Sequence, residues 1–287
     1  MRKKPAAPIL FITGTDTGVG KTVFTALLLH HLRRGGQRAL AMKPFCSGGL
    51  GDVRLLQSLQ TGILSEAEMN PFYFHEPVAP LVARKKREIP LREVLARIRD
   101  VREQCQCLLI EGSGGLLVPL GQDYTVADLI ARLDCGVIVV ARNRLGTINH
   151  TLLTVRALEA RGRRPLAVVL MSVAKADLSA KTNRRTLARL LPQLTLVEMP
   201  FLGARASRYT IVNEGARNLR QPLLRLAKMA GLRGWTGGVA GKLAKRGVEK
   251  PGLRSGKVRV KTGTGRELRR KLLAVSMLRI ETNRLNI

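Results

Sequence analysis

Up to Gly231 the chain alternates short unbroken apolar runs with longer stretches of helical spacing. Ile9–Thr13, Ala39–Met42, Cys107–Ile110, Gly136–Ala141, Leu166–Met171 and Leu196–Pro200 read as strands. Val23–Arg33, Leu91–Gln104, Val126–Leu133, Asn149–Ala160 and Asn183–Leu191 read as helices. In Leu91–Gln104 the residues Leu91, Val94, Leu95 and Ile98 fall on one face. The strands lack the apolar–polar alternation of a half-exposed sheet, so both of their faces are expected to be buried. Strand–helix alternation then predicts an α/β fold, with a mostly parallel sheet and helices on both faces. In such sheets ligands bind beyond the carboxyl ends of the strands.

The texture changes after Gly231. Gly, Lys and Arg dominate Gly234–Gly265, which cannot bury enough surface to offset its ordering entropy. The expected division is a domain over 1–231 and a basic tail over 232–287, disordered except for a short basic helix within Arg266–Leu285. From Arg233 onward there are 15 basic residues against 3 acidic ones, a large part of the net charge of +30. That charge bears on solubility and on nonspecific adhesion to nucleic acid more than on chemistry. Apolar residues make up 45% of the chain and aromatics 3%, so the core must be built of Leu, Val, Ile and Ala. No apolar run is long enough to span a bilayer, and the basic N-terminus lacks the pattern of a secretion signal. Cys46, Cys105, Cys107 and Cys135 have neither metal-site nor disulfide-framework spacing. A reducing, cytoplasmic location and no membrane partner are expected.

Gly14–Thr22, GTDTGVGKT, follows a strand and opens a helix, the setting of a phosphate-binding loop. Its glycines let successive backbone N–H groups face phosphate oxygens, and the helix start adds positive charge. Lys21 can reach the β- and γ-phosphates, and the Thr22 hydroxyl suits a magnesium ion. Gly14 stands one place earlier than the first glycine of the general pattern, with Thr15 in the usual position. Glu111 ends a strand ahead of Gly112-Ser113-Gly114-Gly115, where a carboxylate can hold the metal; capping a helix or turn is its alternative role. Asp52 lies in what reads as a flexible glycine-rich loop, Gly48–Asp52, as a second metal ligand or as a helix N-cap. Lys43, fixed ahead of Pro44, is either a second cation for a transferred phosphoryl group or a solvated lysine.

Together with Lys43–Gly48 (KPFCSG), Asn70–Pro80 (NPFYFHEPVAP), Glu111–Gly115 with Pro119, and Leu145–His150 (LGTINH), the loop resembles dethiobiotin synthetase from Phe11 to Leu202. The resemblance implies a P-loop NTPase-like fold and a reaction. CO2 joins 7,8-diaminononanoate as a carbamate, ATP phosphorylates it, and the second amine closes a cyclic urea. It implies Lys43 and Lys21 as catalytic groups and Mg2+ held by Thr22, Asp52 and Glu111. ATP would lie on Thr17, Gly18, Val19, Gly20, Lys21, Thr22, Asp52, Glu111, Gly112, Ser113, Gly114, Pro200, Phe201 and Leu202. The substrate would lie on Thr17, Lys43, Ser47 and Pro119, with Leu145, Gly146, Thr147, Ile148 and Asn149 reaching across a homodimer interface. On residue pattern alone, the alternative for that last segment is a strand-to-helix turn capped by Asn149.

Many relatives carry an Asn-Asp pair that reads adenine where this chain has Ser172-Val173, which weakens the expectation of adenine selectivity. Two other function classes compete. One is a P-loop switch ATPase that partitions or positions macromolecules, its basic tail holding DNA or membrane. Such proteins usually carry an extra lysine early in the loop, where this chain has Thr15 and Asp16. The other is a nucleic-acid-binding protein with a vestigial nucleotide site. The tail lacks interleaved aromatics, Trp235 being the only one, so no specific nucleic acid is expected.

Overall fold

The computed structural model describes residues 6–232 apart from positions 61 and 86. The expected tail from position 233 lies outside the described residues. Leu232, placed in the tail by the sequence pattern, is instead buried.

Six parallel strands form the main sheet in the order β2-β5-β1-β6-β7-β8. They are β1 (Ile9–Gly14), β2 (Ala39–Met42), β5 (Cys107–Glu111), β6 (Cys135–Arg142), β7 (Ala167–Met171) and β8 (Thr195–Met199). Every residue of β1, β2, β5 and β7 is buried, so helices and loops cover both faces. A small parallel pair, β3 (Phe45–Ser47) and β4 (Phe72–Phe74), stands apart from it. The rings of Phe45 and Phe72 stack there at 4.9 Å.

The helices are α1 (Lys21–Arg34), α2 (Gly51–Ser58), α3 (Glu66–Met69), α4 (Pro80–Ala83), α5 (Leu91–Glu103) and α6 (Val126–Arg132). They continue with α7 (Thr147–Glu159), α8 (Ala180–Leu190), α9 (Tyr209–Asn218) and α10 (Arg220–Met229). Helix starts follow local chemistry. Ser65 with Glu68 and Thr125 with Asp128 form reciprocal capping boxes on α3 and α6. In contrast, α1 and α7 begin after glycines in the left-handed region, Gly20 (φ 102°) and Gly146 (φ 90°), with no side-chain cap. At α1 the first N–H groups are thus open to a ligand, whereas at α7 the Thr147 N–H is taken by the Arg144 carbonyl at 3.2 Å.

Within the described residues the expected strands and helices are present, three of the helices starting earlier than expected. Helix α7 begins at Thr147 and not at Asn149, so Asn149 is no cap: Gly146 holds that place. Helix α1 begins at Lys21 and α8 at Ala180, each ahead of its apolar face, because periodicity marks only where a helix buries side chains. Asp52 is not in a flexible loop but in the first turn of α2, where a carboxylate complements the helix dipole; Leu50 is the N-cap.

Sheet order fixes the site. Met42 pairs with Ile110 and Ile12 with Glu111, so the loops after β2 and β1 emerge on either side of Glu111. β2 is an edge strand, and the Gln60 side chain covers its outer side. The Gln60 Oε1 accepts the Ala41 N–H at 2.8 Å and its Nε2 donates to the Ala41 carbonyl at 2.7 Å.

Candidate functional site

The carboxyl end of the sheet gathers Lys21, Thr22, Lys43, Asp52 and Glu111. Glu111 is fully buried, and its Oε1 accepts two hydrogen bonds: from Thr22 Oγ1 at 2.7 Å and from Lys43 Nζ at 2.8 Å. Lys43 Nζ also pairs with Asp52 Oδ2, so one ammonium bridges both carboxylates. Burial is the largest single influence on Lys43 and opposes its charge. The Glu111 and Asp52 carboxylates together outweigh it and hold the ammonium above the usual lysine range. Asn70 seats this lysine by donating its Nδ2 to the Lys43 carbonyl at 2.6 Å, while the Lys43 N–H reaches Met69 O at 2.9 Å.

Lys21 is 6% exposed and donates to the Asp16 carbonyl at 2.8 Å. Burial pushes its ammonium down to about 8, against the opposing pull of Glu111. A buried lysine this close to neutrality gains most when phosphate arrives to balance it.

These residues line a cavity of about 530 Å³. Its wall also includes Thr17, Gly18, Gly20, Cys46, Ser47, Ser113, Gly114 and the segment Pro77–Pro80. A buried hydroxyl with no partner among the described residues, Ser47 Oγ, lies in that wall. A second cavity of about 300 Å³ lies on the far side of Gly18–Val23 and is largely apolar. Met171, Ser172, Val173, Pro200, Phe201 and Leu202 line it. One end of the loop therefore faces cations and carboxylates, and the other faces the mostly apolar cavity.

A divalent cation fits the first cavity by chemistry. Glu111 Oε2 is a buried carboxylate oxygen with no partner among the described residues, and Thr22 and Asp52 stand beside it. No group of three or more His, Cys, Asp or Glu side chains gathers among the described residues, so the protein alone offers no complete cage. Two carboxylates completed by phosphate oxygens and water is a common setting for magnesium.

Some expected residues lie elsewhere. Gly112 is not in the wall: its N–H reaches Ile12 O at 2.9 Å, and an added Cβ would meet the Phe11 ring at 3.0 Å, so it serves strand packing. Pro119 is also outside; its carbonyl accepts the Leu81 N–H and it bridges to Thr125, while Val118 takes the place in the wall. Leu145 and Thr147 line a small space of about 20 Å³ beside Thr15–Thr17, away from the main cavity, and Ile148 and Asn149 line none of the three. The Leu145 N–H is taken by Asp177 Oδ2 at 2.8 Å, so it is not open to a ligand. The sequence reading missed Arg142, at the end of β6, which donates to the Gly18 carbonyl. The signal was a cation directly after the apolar run of β6. Cys105 and Cys107 are buried, with burial pushing their thiols up to about 11 and about 12. All four cysteines are free.

Residues 9–204 match the family described as AAA domain. The ATP-dependent dethiobiotin synthetase of Bacillus subtilis strain 168 is 39% identical over 63% of this chain and 81% of its own length. That of Anaeromyxobacter dehalogenans strain 2CP-C is 40% identical over 67% of this chain and 89% of its own. That of Methanococcus vannielii is 40% identical over 56% of this chain and 78% of its own length. Among solved structures, the MinC:MinD cell division protein complex of Aquifex aeolicus superposes with a TM-score of 0.50 at 13% identity. It covers 77% of this chain and 96% of its own, a likeness of fold. With a phosphate loop opening α1 and matched cations and carboxylates at its mouth, this chain is an ATP-binding P-loop protein that belongs to the dethiobiotin synthetase family.

Proposed function

We propose that the chain joins CO2 to 7,8-diaminononanoate and closes the product to dethiobiotin at the expense of ATP. The observation that carries this reading is the meeting of Lys43, Glu111, Asp52 and Thr22 with Lys21 around one cavity, with Ser47 in its wall. An amine of the substrate adds to CO2 and loses a proton, giving a carbamate. A carbamate oxygen attacks the γ-phosphorus as the bond to the β-phosphate oxygen breaks, releasing ADP. The second amine then attacks the carbamoyl carbon, loses a proton and expels phosphate. A carbamate is a weak anionic nucleophile, so the site must hold it in line and spread positive charge around the transfer.

Lys43 fits the carbamate side. Its ammonium is held charged by the two carboxylates, and Asn70 fixes its backbone. Lys21 fits the β- and γ-phosphates, together with the N–H groups of the uncapped α1 start. Thr17 and Ser47 would position the diamine. Thr22, Asp52 and Glu111 would hold magnesium, which when bound neutralises charge on the triphosphate. The mostly apolar second cavity would take the base. A homodimer in which the start of α7 meets the partner's substrate belongs to the same reading.

A switch ATPase of the partitioning type is the second reading. It draws on the fold shared with the MinC:MinD complex and on the basic tail. Thr15 and Asp16 stand where such proteins usually have a lysine. One experiment separates the two. The full chain is given labelled bicarbonate, ATP, Mg2+ and the diamine, and phosphate release is followed beside label in a cyclic urea. Release that needs the diamine and bicarbonate together supports the synthetase. Release driven by DNA or lipid vesicles, with no labelled urea, supports the switch.

A further inference from the structure

We infer that Arg142 is a nucleotide-positioning residue. Its guanidinium holds the crest of the phosphate loop and brings positive charge to the sugar–phosphate part of a bound nucleoside triphosphate. The argument begins with register. β6 lies directly beside β1, with Gly14 opposite Val140, and the Thr15 N–H reaches the Val140 carbonyl at 3.0 Å. Two residues further on, Arg142 leaves the sheet level with the loop that follows β1. Its Nη2 donates to the carbonyl of Gly18, a residue in the left-handed region at φ 71°. An added Cβ on Gly18 would stand 3.3 Å from that same nitrogen, so the glycine and the arginine are fitted to each other.

Position and charge carry the inference beyond a backbone prop. Arg142 lines the 300 Å³ cavity, where it is the one charged side chain among the described lining residues. It also lines the small space on the other flank of the loop, so its side chain stands between the two. Among the described residues no carboxylate pairs with it. A guanidinium is forked and permanently charged, which suits it to hold a carbonyl with one N–H and offer others to anionic oxygens. The rest of that cavity is largely apolar, so the charge there serves phosphate and sugar rather than the base edge.

The inference rests on nucleotide binding by the loop, not on the identity of the acceptor substrate, and its test reads nucleotide binding. The full chain with Arg142→Met, Arg142→Gln or Arg142→Lys is titrated with ATP, GTP and adenosine, and kcat and KM for ATP are measured beside melting temperature. Arg142→Met should weaken ATP and GTP alike by about tenfold or more, leaving adenosine within about twofold. At saturating ATP its kcat should stay within about threefold, so the loss falls on KM. Arg142→Gln keeps an N–H for the Gly18 carbonyl without the charge, and should lose affinity nearly as far. Arg142→Lys should fall between. Should Arg142→Met fail to fold, the Gln variant carries the test. Unchanged ATP affinity in a folded Met or Gln variant, a fall in kcat at unchanged affinity, or equal weakening of adenosine would each overturn the inference. A wild-type chain that binds no nucleotide would overturn it together with the phosphate-loop reading, whereas a chain that binds ATP but makes no cyclic urea removes only the synthetase reading.

Discussion

Replacing Lys21 by Met should make the nucleotide-free protein more stable while abolishing its hold on ATP. Lys21 is buried, and its ammonium is pushed down to about 8 from an ordinary 10.5, chiefly by that burial. A tenfold change in proton affinity is worth about 1.4 kcal/mol, so keeping the group charged in the fold at neutral pH costs about 3 kcal/mol. Methionine is unbranched and fills the same channel. It forfeits the hydrogen bond to the Asp16 carbonyl, worth about 1 kcal/mol. The net gain is about 2 kcal/mol, or about 4–8 °C in melting temperature for a domain of this size. The sign with pH follows from proton counting. The cost is full below pH 8, and between 8 and 10.5 the unfolded chain holds a proton that the folded one has released. Wild-type stability therefore rises relative to the variant through that window. Melting curves of both proteins without nucleotide, at neutral pH and near pH 10, give the answer. The variant should melt higher at neutral pH, the gap should close toward pH 10, and Mg-ATP should raise only the wild type. A Lys21→Met protein that melts below the wild type at neutral pH, or a gap that ignores pH, would refute the reasoning.

Other substitutions probe the same cluster. Lys43→Met leaves the buried Glu111 carboxylate without its ammonium and should cost about 3 kcal/mol, read as a melting point lower by about 6–12 °C. Millimolar Mg2+ alone should recover more of that loss than it adds to the wild type, because the cation replaces the missing charge. Asn70→Leu removes the donor to the Lys43 carbonyl and should lower kcat more than ATP affinity; equal loss of both would place Asn70 in general stability instead. If the second cavity takes the base, GTP should compete for the site within about fivefold of ATP, since among the described residues no side-chain amide or carboxylate lines it. Ser172→Asn should shift the choice toward ATP, as competition binding would reveal.

The main sheet was legible because each strand is an unbroken apolar run, and burial on both faces is what such runs encode. Lys21, Thr22, Lys43 and Glu111 were legible because each sits at a strand end or in a loop with its own local signature. Other features depend on partners distant in the chain. β3 and β4 are three residues each and exist only through the pairing of Phe45–Ser47 with Phe72–Phe74. Helix α9 carries Gly215 in its interior, a poor helix former. An added Cβ there would stand 3.1 Å from both Leu202 and Leu27, so close packing onto α1 favours the glycine that propensity disfavours. Arg142 gains meaning only once β6 lies beside β1. Asp52 looked like loop because Gly48, Gly49 and Gly51 precede it, yet Gly51 already begins α2.

Gln60 ends the sheet on the β2 side. Its amide offers Ala41 the acceptor and the donor that another strand would have supplied. A stray segment arriving at that margin finds those valences already satisfied, so accretion by strand addition is blocked there. A mutation that shortens Gln60 would reopen a template for strand addition at this margin.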